Sequence, residues 1–186
     1  MKNLTMVVAM LGFVLLTGCN EPSNNPLQAP QDETTSLTKS GNDGPSASGQ
    51  GSRTYEEGWR RVFAFHAATN SDGSVSGSGT YNRVSADPSL RLKFDFDIDC
   101  LVVDGNVAIM MGIITKSKYS GWVGRHFQFK VVDNGEGANA APDQMTHFAN
   151  WEPGVPNDTV PFIPNCGDDL GWELWNIEQG NIQVTQ

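Results

Sequence analysis

Apolar and charged residues alternate without a break from position 90 to position 99. Leu90, Leu92, Phe94, Phe96 and Ile98 fall on one side, and Arg91, Lys93, Asp95, Asp97 and Asp99 on the other. A period of two marks a strand with one face in a core and one in water. The register of such a strand is well specified, because a slip of one residue would bury all of its charges. Beyond Cys100 the chain runs Leu101-Val102-Val103, meets Asp104-Gly105-Asn106, and continues as Val107-Ala108-Ile109-Met110-Met111-Gly112-Ile113-Ile114. The Asp-Gly pair supplies the positive φ angles of a tight hairpin. The second arm is apolar on both faces, so another part of the chain must cover its far side.

The same rhythm recurs on both sides of this hairpin. Residues 59–67 set Trp59, Phe63 and Phe65 against Arg60, Ala64 and His66 and predict a strand. After the turn Asn70-Ser71-Asp72-Gly73, residues 73–82 predict a second strand. Its Gly77 and Gly79 call for close backbone approach or tight curvature. Residues 125–132 predict another, with Phe127, Phe129 and Val131 inward. Residues 148–169 are irregular, broken by Pro153, Pro156, Pro161 and Pro164, and are expected to wrap the surface, pinned by Trp151, Phe162 and Ile163. Strands over 172–177 and 181–184 close the chain. No apolar stripe of helical period is present. The expected fold is all-β, a single antiparallel barrel or sandwich of about eight strands, with the strand glycines favouring a barrel.

Composition and charge narrow the setting. The 186 residues carry a formal charge of −9 at pH 7. An acidic balance argues against nucleic acid and against an anionic lipid face, and suits an exported domain or a cation binder. Lys2 precedes an apolar run over residues 6–16, too short to span about 30 Å of hydrocarbon. Small residues follow, as in a signal peptide. Leu16-Thr17-Gly18-Cys19 resembles the lipobox of bacterial lipoproteins, which implies cleavage before Cys19 and acylation of that residue. Each buried methylene contributes about 0.8 kcal/mol, so several acyl chains anchor durably. Asn20 differs from the Asp that this resemblance associates with retention at the inner membrane, so the expected address is the outer membrane or cell surface. The expected organisation is 1–18 lipoprotein signal peptide, 19–53 lipidated Cys and disordered linker, and 54–186 all-β domain. The linker is rich in Pro, Ser, Gly, Asn and Thr, too polar to offset its ordering entropy, with a reach of roughly 30 Å.

With Cys19 acylated, Cys100 and Cys166 remain as an even pair in an oxidising compartment, and a disulfide between them is expected over two free thiols. It would close a loop of about 65 residues, worth roughly 4 kcal/mol in the chain-entropy account. No CxxC spacing points to redox chemistry.

Residues 131–137 hold the most site-like polar stretch. Asp133, Asn134 and Glu136 crowd among glycines, and Asp143 could return to join them, as a calcium site would require. EF-hand spacing is absent, and a Gly-rich turn whose Asp and Asn side chains bond the backbone is the preferred reading. Asp95, Asp97 and Asp99 read as a solvated strand face. His66, His126 and His147 lack the spacing of a zinc site. Tyr119, Trp122 and Trp151 are loop aromatics that could stack on a ligand or partner, or else cover a barrel end. A carboxylate hydrolase could draw on Glu136, Asp143 and Glu152, but no nucleophile elbow, Walker loop or dinucleotide fingerprint is present.

Four stretches taken together resemble a group of uncharacterised secreted bacterial proteins. They are Phe63-Ala64-Phe65-His66-Ala67 with residues 72–77, residues 100–109 with Gly112, residues 131–137 with Pro142-Asp143-Gln144, and the closing Gly180-Asn181-Ile182-Gln183-Val184. The resemblance spans nearly the whole domain, but it implies no activity and carries over no catalytic residue. The functional expectation is a lipid-anchored, non-enzymatic β-domain that binds a ligand or partner at the envelope. It needs no cofactor beyond a conceivable Ca²⁺, and its alternative is a secreted hydrolase using carboxylates near Glu136 and Asp143.

Overall fold

The hairpin closed by Gly105-Asn106, with Asp104 paired to Val107 at its end, forms the middle of one antiparallel sheet. The computed structural model describes residues 44–55, 58–137, 139–152 and 164–186. Cys19, the signal-like segment, most of the linker, and Pro153, Pro156, Pro161, Phe162 and Ile163 lie outside the described residues. The strands are β1 (Ser46–Thr54), β2 (Arg60–Thr69), β3 (Val75–Val84), β4 (Leu92–Asp104), β5 (Val107–Ser117), β6 (His126–Val132), β7 (Gln144–Met145), β8 (Ala149–Trp151), β9 (Trp175–Asn176) and β10 (Gln179–Thr185). Their spatial order is β10-β1-β2-β3-β4-β5-β6-β7-β9, with β8 also paired to β6. The sheet curls strongly into a half-barrel, and no α-helix occurs among the described residues.

The curl brings strands far apart in the order into contact. Phe65 on β2 meets Phe129 on β6 edge to face at 5.2 Å. Phe148 sits at the centre of the ring cluster, 4.5 Å from Phe129, 5.1 Å from Tyr81 and 5.5 Å from Phe96. Phe94, Phe96, Ile98, Met110, Ile114, Phe127 and Ile182 complete a core filled by side chains. Gly79 is the close approach its position in the strand calls for: a Cβ there would lie 2.5 Å from the Ala64 carbonyl and from the Phe96 ring.

Two expectations need correction. The linker does not extend to residue 53, because Ser46–Thr54 is a full strand paired to both β2 and β10. Its inner face is Ala47, Gly49 and Gly51, and the apolar volume above them comes from neighbours. A Cβ on Gly49 would meet Phe65 and Ile182 at about 3 Å. Leu90 is not in the core: it ends a 3-10 turn, 42% exposed. The alternation in β4 holds from Leu92 to Asp99, and the register with β5 shifts between Ile98 and Cys100. That irregularity turns Leu101 inward and Cys100 outward.

The outward Cys100 explains how the far side of β5 is covered. It packs with Met111, Ala149 and Trp151, against which Leu170 and Trp172 also rest, and it forms the disulfide to Cys166. The bridge fastens residues 164–172 over the outer face of β4 and β5.

Candidate functional site: two oppositely built poles

The antiparallel order places the β1–β2, β3–β4 and β5–β6 connections at one end of the sheet. The β2–β3 turn, the β4–β5 hairpin and the 133–143 loop lie at the other.

The candidate residues of the 133–143 loop gather at this second pole. Asp133 Oδ1 accepts from the Gly135 N–H at 2.8 Å and Oδ2 from the Val184 N–H at 3.0 Å. Asp143, 6% exposed, accepts from the Asn134 N–H at 2.8 Å on Oδ1 and from the Ile182 N–H at 2.7 Å on Oδ2. Asn134 Nδ2 donates to the Pro142 carbonyl, and Glu136 Oε1 accepts from Asn181 Nδ2 at 2.7 Å. Ile182 and Val184 are alternate residues of β10, so their N–H groups share its free edge, the side away from β1. Carboxylates thus stand where a further strand would pair, and they fasten the two ends of the curled sheet together. Every oxygen of Asp133 and Asp143 already holds a main-chain donor. No grouping of three or more His, Cys, Asp or Glu suited to a metal occurs among the described residues. Glu136, Asp143 and Glu178 do line a common open groove of about 310 Å³.

The aromatic candidates separate. Tyr119 is exposed, whereas Trp122 leans on Phe94 at 5.9 Å and joins the core. Trp151 cannot stack on a ligand: it is 1% exposed, buried under the disulfide-tied strap with its ring 5.9 Å from His126.

The first pole holds a constellation of which the candidate residues included only Tyr119 among the exposed side chains. Every lysine and arginine among the described residues except Lys130 belongs to it. Arg53, Arg60, Arg61 and Arg83 come from β1–β3, Arg91 and Lys93 from the entry to β4, Lys116 and Lys118 from the end of β5, and Arg125 from the entry to β6. Every exposed large apolar residue except Val102 is there too: Val62, Val84, Leu90, Tyr119 and Val123. Its described acids are few and partly engaged. Glu178 accepts from Thr54 Oγ1, and the Ser89 hydroxyl and N–H hold the Asp87 carboxyl below the usual carboxylate range.

Inside this pole three arginines stand in register. Arg53 on β1 pairs with Arg61 on β2, which pairs with Arg83 on β3. Odd-numbered positions of β2 face the core, so Arg61 shares the face of Phe63 and Phe65 and is 4% exposed. Like charges directly opposite one another on neighbouring strands are unfavourable. Aromatic rings take up part of that cost. Arg53 lies over Trp175 at 4.4 Å, Arg61 within 5.5 Å of the rings of Tyr55, Tyr81 and Trp175, and Arg83 over Trp59 at 5.6 Å. Arg61 Nη1 donates to the Thr146 carbonyl at 3.1 Å and Nη2 to His147 Nδ1 at 2.6 Å. Arginine keeps its protons, so Nδ1 must accept and the ring proton sits on Nε2. Burial first, then the guanidiniums of Arg61 and Arg53, lower the His147 pKa to about 4. Arg61 Nε is buried without a hydrogen-bond partner among the described residues. The only ion pair among the described residues, Lys130–Asp169 at 2.7 Å, lies outside this pole.

One sequence signal could have found the arginine row: Arg61 occupies the inward parity of its strand. Its alignment with Arg53 and Arg83 depends on strand register.

The chain matches no protein-family model, no curated protein and no solved structure.

Proposed function

We propose that this is an exported, lipid-anchored envelope protein, held by acylation at Cys19 and directed to the outer membrane or cell surface. Its β-domain binds an acidic ligand or partner through the basic pole without catalysing a reaction. The observation that carries this reading is segregation: exposed cations and exposed apolar side chains share one end of the sheet. Such a mixture fits a partner that offers both charge and apolar surface. The packed interior directs binding to the surface rather than to a lipocalin-like cavity. The net charge of −9 argues against acidic partners only if charge is spread evenly, and here it is not. The groove near Glu136 and Asp143 lends no support to a hydrolase, because Asp143 is bound by main-chain donors at both oxygens.

Two measurements test the reading. The Cys19→Ser variant should leave the membrane pellet for the soluble fraction, and its retention in the pellet would end the anchor claim. At pH 7 and low salt, the soluble domain should bind a carboxymethyl matrix despite its net negative charge. The triple variant Lys116→Glu, Lys118→Glu, Arg125→Glu should flow through. Passage of the unaltered domain through that matrix would remove the basic pole as a docking surface.

A further inference from the structure

We infer that the cavity between Arg53 and Arg61 receives a single carboxylate group, the anchoring point of the ligand taken by the basic pole. This rests on the preceding reading of that pole and deepens it. The cavity is lined by Arg53, Arg61, Phe63, Met145, Trp175 and Ile177, with Asn176 beside them, and measures about 10 Å³. That is room for one water-sized group. One carboxylate oxygen fits it, while the rest of the ligand stays outside, beside the partly exposed Arg53.

Three independent features converge there. Arg61 is a buried cation with no carboxylate partner among the described residues, and buried charges are ordinarily paired. Its Nε–H is buried with its hydrogen-bonding capacity unused among the described residues. A second guanidinium is held opposite in strand register by pairing that neither side chain could choose. A carboxylate would answer all three, accepting from Arg61 and offering Arg53 the bidentate geometry that guanidinium prefers. The apolar walls formed by Phe63, Met145 and Ile177 suit a flat, singly charged group better than a doubly charged phosphate. Aromatic rings already occupy the faces of the cations, so the free approach is in the guanidinium planes, where a carboxylate binds.

Two sources could present that group: a free organic acid, or the carboxylate of an acidic side chain or chain terminus. Glu56 and Glu57, outside the described residues, are this chain's own neighbouring acids in sequence.

The test follows the arginine Nε–H resonances of the full soluble domain during titration with acetate, with chloride replaced at constant ionic strength and inorganic phosphate as a parallel probe. The expected result is a saturable shift of the Arg61 Nε–H with acetate, absent with chloride and weaker with phosphate. The His147 titration midpoint should rise as the bound charge offsets Arg61 and Arg53. Arg53→Met, which removes no hydrogen bond among the described residues, should weaken acetate by about tenfold or more while the fold is retained. A Glu-containing peptide that binds more tightly than acetate points to a protein source, and a peptide no tighter than acetate points to a small acid; both keep the carboxylate site. If Glu56→Gln/Glu57→Gln is required before acetate shifts the resonance, the site belongs to the chain's own acids and the inference fails. It fails equally if acetate gives no saturable shift, a water then being the occupant, or if Arg53→Met binds acetate unchanged. Because the carboxymethyl matrix probes the outer lysines and Arg125, retention there without an acetate shift would sink this inference and leave the proposed function standing.

Discussion

At one pole of the sheet, Asp133 and Asp143 give every carboxylate oxygen to a main-chain N–H, and two of those donors lie on the free edge of β10. At the other, Arg53, Arg61 and Arg83 line up across three strands against aromatic rings, with a buried Nε that has no partner among the described residues. Both poles bring like charges together, and only one of them balances those charges with fixed partners. The acidic pole resembled a site in sequence because oxygen ligands crowd among glycines, and its geometry is that of a fastening. The basic pole gave no motif, yet it keeps unmet electrostatic demand. Saturation of hydrogen-bonding capacity, more than residue type, sets the two clusters apart.

The largest expected effect lies at the fastening. Asp143→Ala strands the Asn134 and Ile182 N–H groups at a buried position and should cost about 3 kcal/mol or more, read as a lower urea midpoint. A loss below about 1 kcal/mol would show that the sheet ends hold together without the carboxylate and would erase the contrast between the poles.

Next comes acid sensitivity at the basic pole. His147 titrates near 4 when folded and near its ordinary value of 6.5 when unfolded. Between these values the unfolded chain binds the extra proton, so stability is full above about pH 6.5 and declines as pH falls towards 4. The loss is at most about 3 kcal/mol, and nearer 2 because the ring is only half-buried. His147→Asn, which can still accept from Arg61, should flatten that part of the melting temperature against pH. An unchanged slope would mean that His147 is not held neutral by its surroundings.

The smallest effect is expected at Glu136, whose exposed carboxylate accepts from the Asn181 side chain. Glu136→Gln should shift stability by no more than about 0.5 kcal/mol. A change of the size expected for Asp143 would show that the fastening extends to the exposed rim of the loop.

Much of the sheet was legible because most strands carry their own apolar face. Phe63 and Phe65, Phe94, Phe96 and Ile98, and Phe127 and Phe129 announce β2, β4 and β6 by parity, and Asp104-Gly105 announces the central turn. β1 was invisible for the opposite reason. Its inward positions are Ala47, Gly49 and Gly51, so its place in the core is filled by Phe65, Phe63 and Ile182 from its neighbours. For Trp151 the sequence left two readings open, a stacking surface or a cover, and its burial beside Cys100, Met111 and Ala149 decides for the cover.

By itself, the sequence determined local periodicity, the hairpin, the all-β class and a pair of cysteines able to join. These depend on residues near one another in the chain, and alternation along a strand is a local property. Tertiary structure alone decided that Cys100 faces outward after a register shift, that Asp133 and Asp143 reach β10, and that three arginines fall opposite one another. Each of those outcomes sets residues of different strands or loops side by side, from 8 positions apart for Arg53 and Arg61 to 51 for Asp133 and Val184, and such pairings follow from how the sheet curls and registers as a whole.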